Sequence, residues 1–387
     1  MIKLVLKELL PDIIEIRHQI HSNPELAFNE IATSALICET LKKFGYDVKT
    51  GYAKTGVSAV LDSGRPGKTV ALRADFDALP IQEQSNLNYR SKNNGVMHAC
   101  GHDGHTATLL AVAGSLIKCK EIFKGKIKFI FQPAEETGAG AAAMIKDGIL
   151  ENPKVDAIFG YHNTFRSELG ELKTKFGCLM AGQDAFTITI KGKGGHAAHL
   201  ENIIDPIYIG STIVQALQSI VSRSTPSTEC VVISVTQFHS GTTYNAMPDE
   251  AMLSGTIRTV TLQSQKKVKE HVESIAKNIA TSLGGTATIV FDKHFPPTIN
   301  HENETKFVFD IAKKILGDNK VECFVDPSMA SEDFSHYLEK IPGCFFFMGN
   351  GNNGAIHSAT YQFNDDLIAI SAEMMARIAV EYLNGVS

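Results

Sequence analysis

The densest chemistry in this chain is Met97-His98-Ala99-Cys100-Gly101-His102-Asp103-Gly104-His105, where three histidines, a cysteine and an aspartate crowd together. Packing alone has no use for that mixture. Thiolate and imidazole are good ligands for zinc and similar divalent ions. Gly101, between Cys100 and His102, lets the backbone bend until both side chains face one point. A structural zinc site ordinarily takes four ligands, often as C-x-x-C pairs, and the sequence has no such pair. The pattern therefore favours an open, catalytic metal site.

Three further segments offer partners. Gln132-Pro133-Ala134-Glu135-Glu136 follows the apolar run Ile127–Phe131. Adjacent carboxylates are common on solvated loops, but in a metal site they divide labour. One holds an ion, and the other takes a proton from water whose pKa has been lowered. Tyr161-His162-Asn163 follows Val155–Phe159, and Ile356-His357-Ser358 lies downstream of Cys344–Met348. Either histidine alone reads as structural. Together the segments gather where ligands of doubly wound sheets collect, outside the carboxyl ends of the strands.

The elements that position them read as follows. The N-terminus, MIKLVLKELLPDIIEI, is interrupted by charges, lacks a small-residue cleavage site and predicts an amphipathic first helix rather than a secretory signal. Helical spacing covers 31–44, with Gly45 as C-cap, and strands are expected at 57–61 and 69–72 around the turn Asp62–Gly67. Helix 106–118, strand 127–131, helix 139–145 and strand 155–159 continue an alternation that implies an α/β domain with a mostly parallel or mixed sheet. After Gly182 the rhythm changes to strand 186–190, helix 204–221, strands 231–235 and 251–257, helix 268–283 and strand 286–291. That β-α-β-β-α-β order is ferredoxin-like. It predicts an inserted α+β domain, 183–295, within a discontinuous domain of residues 1–182 and 296–387, where strand 344–348 and helix 366–383 return to the first.

Composition excludes several classes. Hydrophobic residues are 43% and charged residues 20%, ordinary for a globular protein, and no apolar run approaches the length needed to cross a bilayer. A net charge of −5 without a basic cluster gives no support for nucleic-acid binding; Lys266, Lys267 and Lys269 sit on a helical pattern and read as a solvated face. The 7 cysteines contain no C-x-x-C and fit a reducing cytoplasm better than a disulfide framework.

The full series of motifs resembles the amidohydrolase branch of the di-metal aminoacylase/carboxypeptidase family. It includes RHQIHSNPELAFNE (17–30), LRADFDALP (72–80), MHACGHDGHT (97–106), QPAEETGAGA (132–141), GYHN (160–163), GKGGHAAH (192–199), NAMPDE (245–250), GTIRT (255–259), SEDF (331–334) and IHSATYQFND (356–365). The resemblance spans essentially the whole chain. It implies hydrolysis of N-acyl amino acids of the hippurate or N-acetyl type, with diaminopimelate deacetylation and auxin-conjugate hydrolysis as alternatives. Two divalent ions per subunit are implied, zinc, manganese, cobalt or nickel, held by Cys100, His102, Glu136, His162 and His357, with Glu135 as general base. The inserted domain is implied as a lid and a homodimer interface. It would bring His196 to the scissile carbonyl, and Asn245 and Arg258 to the substrate. Asp75 and Asp77 stand where other branches place a metal-binding H-x-D, and are expected to support the ligands from behind. The lid motif departs from its usual Pro-His continuation at Leu200 and Glu201, and Glu332 and Asp333 match a motif without an assignable role. Two rival readings are a cysteine hydrolase with Cys100 as nucleophile and His102 or His105 as base, and a non-catalytic metal-binding module.

Overall fold

The computed structural model describes residues 1–385. Helices α1 (Ile2–Ser22) and α2 (Ile31–Phe44) come first, then strands β1 (Val48–Tyr52), β2 (Gly56–Asp62) and β3 (Thr69–Asp75). Helix α3 (His102–Ile117), β4 (Lys126–Gln132), α4 (Gly140–Lys146), β5 (Ala157–Thr164), β6 (Leu172–Thr174) and β7 (Gly177–Met180) follow. The next stretch holds β8 (Gly182–Lys191), β9 (Gly195–His196), α5 (Pro206–Ser219), β10 (Val231–Ser240), β11 (Ala246–Met247), β12 (Glu250–Thr259), α6 (Leu262–Ser282) and β13 (Thr286–Phe295). The chain closes with β14 (Thr298–Asn300), α7 (Glu302–Leu316), β15 (Val321–Cys323), α8 (Ser335–Leu338), β16 (Gly343–Gly349) and α9 (Asp366–Asn384).

Two compact units result. The first comprises Met1–Leu179, Thr298–Asp326 and Asp333–Ser387, and the second Met180–Pro297 with Pro327–Glu332. In the first, eight strands form one mixed sheet in the order β1-β2-β4-β3-β5-β16-β6-β15. Its centre, β4-β3-β5-β16, is parallel. Strands buried on both faces read as near-continuous apolar runs, and β3, β4 and β5 do so until their last residues turn polar. Helix α3 is buried over His102–Leu116, so beyond its polar first turn it is largely apolar on every side instead of amphipathic. Helix α1 lays Ile2, Leu6, Ile13, Arg17 and Ile20 on one buried face.

The second unit has its own sheet, β10-β12-β8-β13, antiparallel throughout. Ile209, Ile213 and Leu217 of α5 and Val268, Val272 and Ala276 of α6 cover one face of it with a separate hydrophobic core. The element order and sheet order are those of the ferredoxin-like split motif. Among the described residues, no helix is long and apolar enough to cross a membrane.

Candidate metal centre

Because β4, β3, β5 and β16 run parallel, their carboxyl ends share one edge of the sheet. Asp75 is the last residue of β3, and after Gln132 the chain turns through Pro133 and Ala134 into a single 3₁₀ turn, Glu135–Thr137. His162 lies inside β5 and not beyond its end, since the strand runs on to Thr164 in register with β16 (His162 opposite Phe347). His102 and His105 are likewise not in a loop. Gly101, at φ 91°, starts α3 at His102, four residues earlier than the apolar pattern suggests. His357 follows β16 in the left-handed region at φ 63°, its N–H donating to the Ala99 carbonyl at 2.7 Å. A non-glycine residue held there marks a constrained position.

The five expected ligands converge. Cys100, His102 and His162 each present one ligand atom, all within 4.8 Å of one another, and so do Cys100, Glu136 and His357. Glu135 forms a third such group with His102 and Glu136. Cys100 Sγ is 3.2 Å from His162 Nε2, and His357 Nε2 is 3.4 Å from Glu136 Oε1. His162 Nδ1 meets the Asn163 carbonyl at 2.6 Å, which commits that nitrogen as donor and turns the Nε2 lone pair towards Cys100. His102 Nδ1 is committed in the same way to Asp77 Oδ1 at 3.1 Å. Among the described residues its buried Nε2 has no hydrogen-bond partner, and neither has Glu136 Oε1, whose contacts with His357 and His102, at 3.4 and 3.9 Å, are ion-pair contacts without hydrogen-bond geometry. Buried polar atoms left this way are costly, and a divalent cation is the partner that their chemistry fits. The mixed sulfur, nitrogen and oxygen set suits zinc, manganese, cobalt or nickel.

The electrostatics agree. Burial opposes a charge on His102, but Asp75, Asp77 and Glu136 outweigh it and raise its pKa to about 10. Burial, with Glu136, Glu135 and Asp75, pushes the Cys100 thiol well up. Glu136 is held below its usual range because His357 and His102 overcome its burial. A site this acidic attracts positive charge, and a bound cation takes the place of the protons.

Behind the ligands stands a shell that the sequence reading only partly anticipated. Asp77 holds two of the expected ligands at once, His102 through Oδ1 and the Glu136 N–H through Oδ2 at 3.0 Å. Asp75 instead accepts from Arg73 Nη1 at 2.7 Å and His105 Nδ1 at 2.6 Å. His105 Nε2 accepts the Asn163 N–H at 3.1 Å, so both of its nitrogens are engaged in the scaffold. Asp333 gains a role: it accepts from Arg73 Nη2 at 2.9 Å, Gln132 Nε2 at 2.8 Å and the Ala141 N–H at 2.9 Å. Its own N–H points at Glu135 Oε1, 3.3 Å away. Arg17 and His21 also went unanticipated, yet both hold Asp103 Oδ2, at 2.9 and 2.8 Å, beside His102.

The remaining expected residues lie in the second unit. His196 and Asn245 are neighbours: His196 pairs with Ala246 across β9 and β11, and the Ala197 N–H donates to the Asn245 carbonyl at 3.1 Å. The Ala198 N–H donates to His196 Nδ1 at 3.1 Å, which leaves the proton of a neutral ring on Nε2. Arg258, on β12, is half-buried and donates from Nη1 to Ser331 Oγ at 2.6 Å. Leu200 and Glu201 sit in a short 3₁₀ turn with Leu200 exposed.

Residues 71–381 match Peptidase family M20/M25/M40. The chain is 40% identical to a hippurate hydrolase of Campylobacter jejuni over 97% of its length and 99% of that protein. It is also 40% identical to thermostable carboxypeptidase 2 of Saccharolobus solfataricus, over 98% of this chain and 97% of the relative. Among solved structures, a Bacillus subtilis dinuclear metal-binding peptidase of the M20 family superposes with a TM-score of 0.85 at 35% identity, covering 98% of this chain and 100% of the other. The chain belongs to peptidase family M20/M25/M40.

Proposed function

We propose that this protein is a metal-dependent amidohydrolase that cleaves N-acyl amino acids to a carboxylic acid and a free amino acid, through two divalent cations held by Cys100, His102, Glu136, His162 and His357. The observation that carries the reading is Glu135. Its carboxylate has an oxygen within 4.8 Å of the candidate ligand atoms of His102 and Glu136, and its Oε1 accepts the Asp333 N–H at 3.3 Å. A site built only to bind an ion has no need of it.

When bound, the cations polarise the acyl oxygen and acidify the attacking water. The rest is done by side chains. Glu135 takes the water's proton on a carboxylate oxygen during attack and returns it to the departing amine nitrogen. His196, with its proton on Nε2, donates to the developing oxyanion. Asn245 orients the amide, and Arg258 pairs with the substrate carboxylate as a planar two-point donor. The second unit acts as lid and as the interface of a homodimer. A thiol mechanism is poorly served: the Cys100 thiol is pushed up, His102 is raised to about 10 and already holds its proton at neutral pH, and burial lowers His105, whose two ring nitrogens are engaged by Asp75 and the Asn163 N–H.

The test is a panel of N-benzoyl-, N-acetyl- and indole-acetyl-amino acids and short peptides, assayed with each of the four metals and again after chelation. The proposal requires turnover of N-acyl amino acids that chelation abolishes and metal restores. Chelator-resistant turnover would transfer the chemistry to Cys100, and cleavage of peptides alone would replace the substrate class.

A further inference from the structure

The motif at residues 17–30 ends on Glu30, and nothing in the reaction described above uses it. Glu30 occupies the N-cap position of α2, where a side chain ordinarily accepts from the first amides of the helix, but it makes no such bond. Glu25 has taken that work, accepting the Ala32 N–H at 3.0 Å and the Thr33 N–H at 2.8 Å. Glu30 is completely buried and reaches elsewhere. Its Oε1 accepts the Ala134 N–H at 3.0 Å, and its Oε2 accepts the Thr55 hydroxyl at 2.8 Å.

Ala134 is the residue before Glu135, and it stands in the left-handed region at φ 56°, where a side chain is disfavoured. Its carbonyl is held as well, by Thr137 Oγ1 at 3.0 Å and the Gly140 N–H at 3.1 Å. A Cβ on Gly140 would lie 1.8 Å from the Pro133 oxygen, so that closure depends on glycine. The turn carrying both glutamates is thus pinned residue by residue: Ala134 by Glu30, Glu135 by the Asp333 N–H, and Glu136 by Asp77. Without the first pin, Ala134 has reason to relax to negative φ, and that rotation would swing the following carboxylate.

We infer that Glu30 is a positioning residue for amide hydrolysis, fixing the strained Ala134 peptide so that Glu135 faces the water it deprotonates. This rests on the assignment of Glu135 as base. Glu30→Ala removes the acceptor, and Glu30→Asp withdraws it while keeping the charge, so the second carries the test if the first fails to fold. Glu30→Gln keeps a carbonyl oxygen in place for the Ala134 N–H.

The expected result is a fall in kcat of about 10- to 100-fold in Glu30→Ala and Glu30→Asp, at unchanged cation affinity and KM, with most of the rate recovered in Glu30→Gln. In a Glu135→Gln background the Glu30→Ala change should add almost nothing to the loss, since both act on one group. Independently of turnover, hydrogen exchange over residues 133–137 of the cation-free protein should quicken in the Ala variant and stay slow in the Gln variant. Full kcat in both Ala and Asp variants, no rescue by Gln, additive losses, or unchanged exchange would overturn the inference. Full turnover in Glu135→Gln alone would instead overturn the base assignment, whatever the Glu30 variants do.

Discussion

Replacing Arg17 by methionine probes the charge network that braces the first turn of α3. Arg17 is fully buried and donates from Nε to Asp103 at 2.9 Å and from Nη1 to Asp365 at 3.1 Å, with its guanidinium 4.9 Å above the Tyr89 ring. Methionine keeps the stem and deletes the charge. Breaking a buried pair from one side costs about 3–5 kcal/mol, because the surviving charge is left without compensation. His21 stays at 2.8 Å from Asp103, and Asp365 keeps 26% of its side chain in water, so the low end, about 3 kcal/mol, is expected. Adding Asp103→Asn should recover part of that loss, since it removes the more deeply buried of the two carboxylates that Arg17 had paired.

The pH dependence follows from the same partners. Arg17 and His21 overcome burial and hold Asp103 far below its ordinary 3.8, so its stabilisation is present above that value and is lost as pH falls below it. Burial opposes the charge on His21, but Asp103 outweighs it and raises the ring above 6.5. Its pairing is therefore complete below 6.5 and fades as pH climbs through the raised value. Arg17→Met leans on His21 alone, so it should lose stability on the alkaline side faster than the parent. Urea unfolding of the cation-free protein, followed by circular dichroism because the chain has no tryptophan, measures all of this. A loss under about 1 kcal/mol, or no recovery in the double variant, would refute the reasoning.

Asp77→Asn can satisfy His102 or the Glu136 N–H but not both, so calorimetric titration should show cation affinity falling about 10- to 100-fold. Unchanged affinity would remove Asp77 from its supporting role. Because His102 is raised to about 10 and the Cys100 thiol is pushed up, both carry protons at neutral pH until a cation displaces them. Affinity should therefore rise with pH from about 6 to 9, with proton release visible in buffers of unlike ionisation heat; a flat profile contradicts this. His196→Ala should lower kcat about 100-fold and leave cation content intact. Loss of metal in that variant would point to a structural role.

How much of this is legible in one dimension depends on the range of the interaction. The parallel strands and α3 announce themselves because apolar runs need no partner to be recognised. The cluster of candidate ligands stands out for a related reason, since Cys100, His102 and Glu135-Glu136 are unusual side chains next to such runs. Boundaries near the site were not. The apolar pattern ends β5 at Phe159, but pairing with β16 carries the strand through His162 to Thr164. The helix is read from Thr106, but Gly101 lets it begin at His102. The edge strands β1 and β15, and β6 beside β15, are short and mostly held by pairing, which leaves little periodicity to read. Least legible of all were Arg17, Glu30 and Asp333. Each falls within a motif that resembles the family's, but its role comes only from a partner 86, 104 or 201 residues away.

The most direct test is Glu135→Gln in the metal-loaded protein, with metal content and turnover of an N-acyl amino acid measured on the same sample. The substitution preserves size and removes only the ability to accept and return a proton. Full metal content with kcat lowered about 100-fold or more is the predicted result. Full metal content with near-parental kcat would contradict the account at its centre.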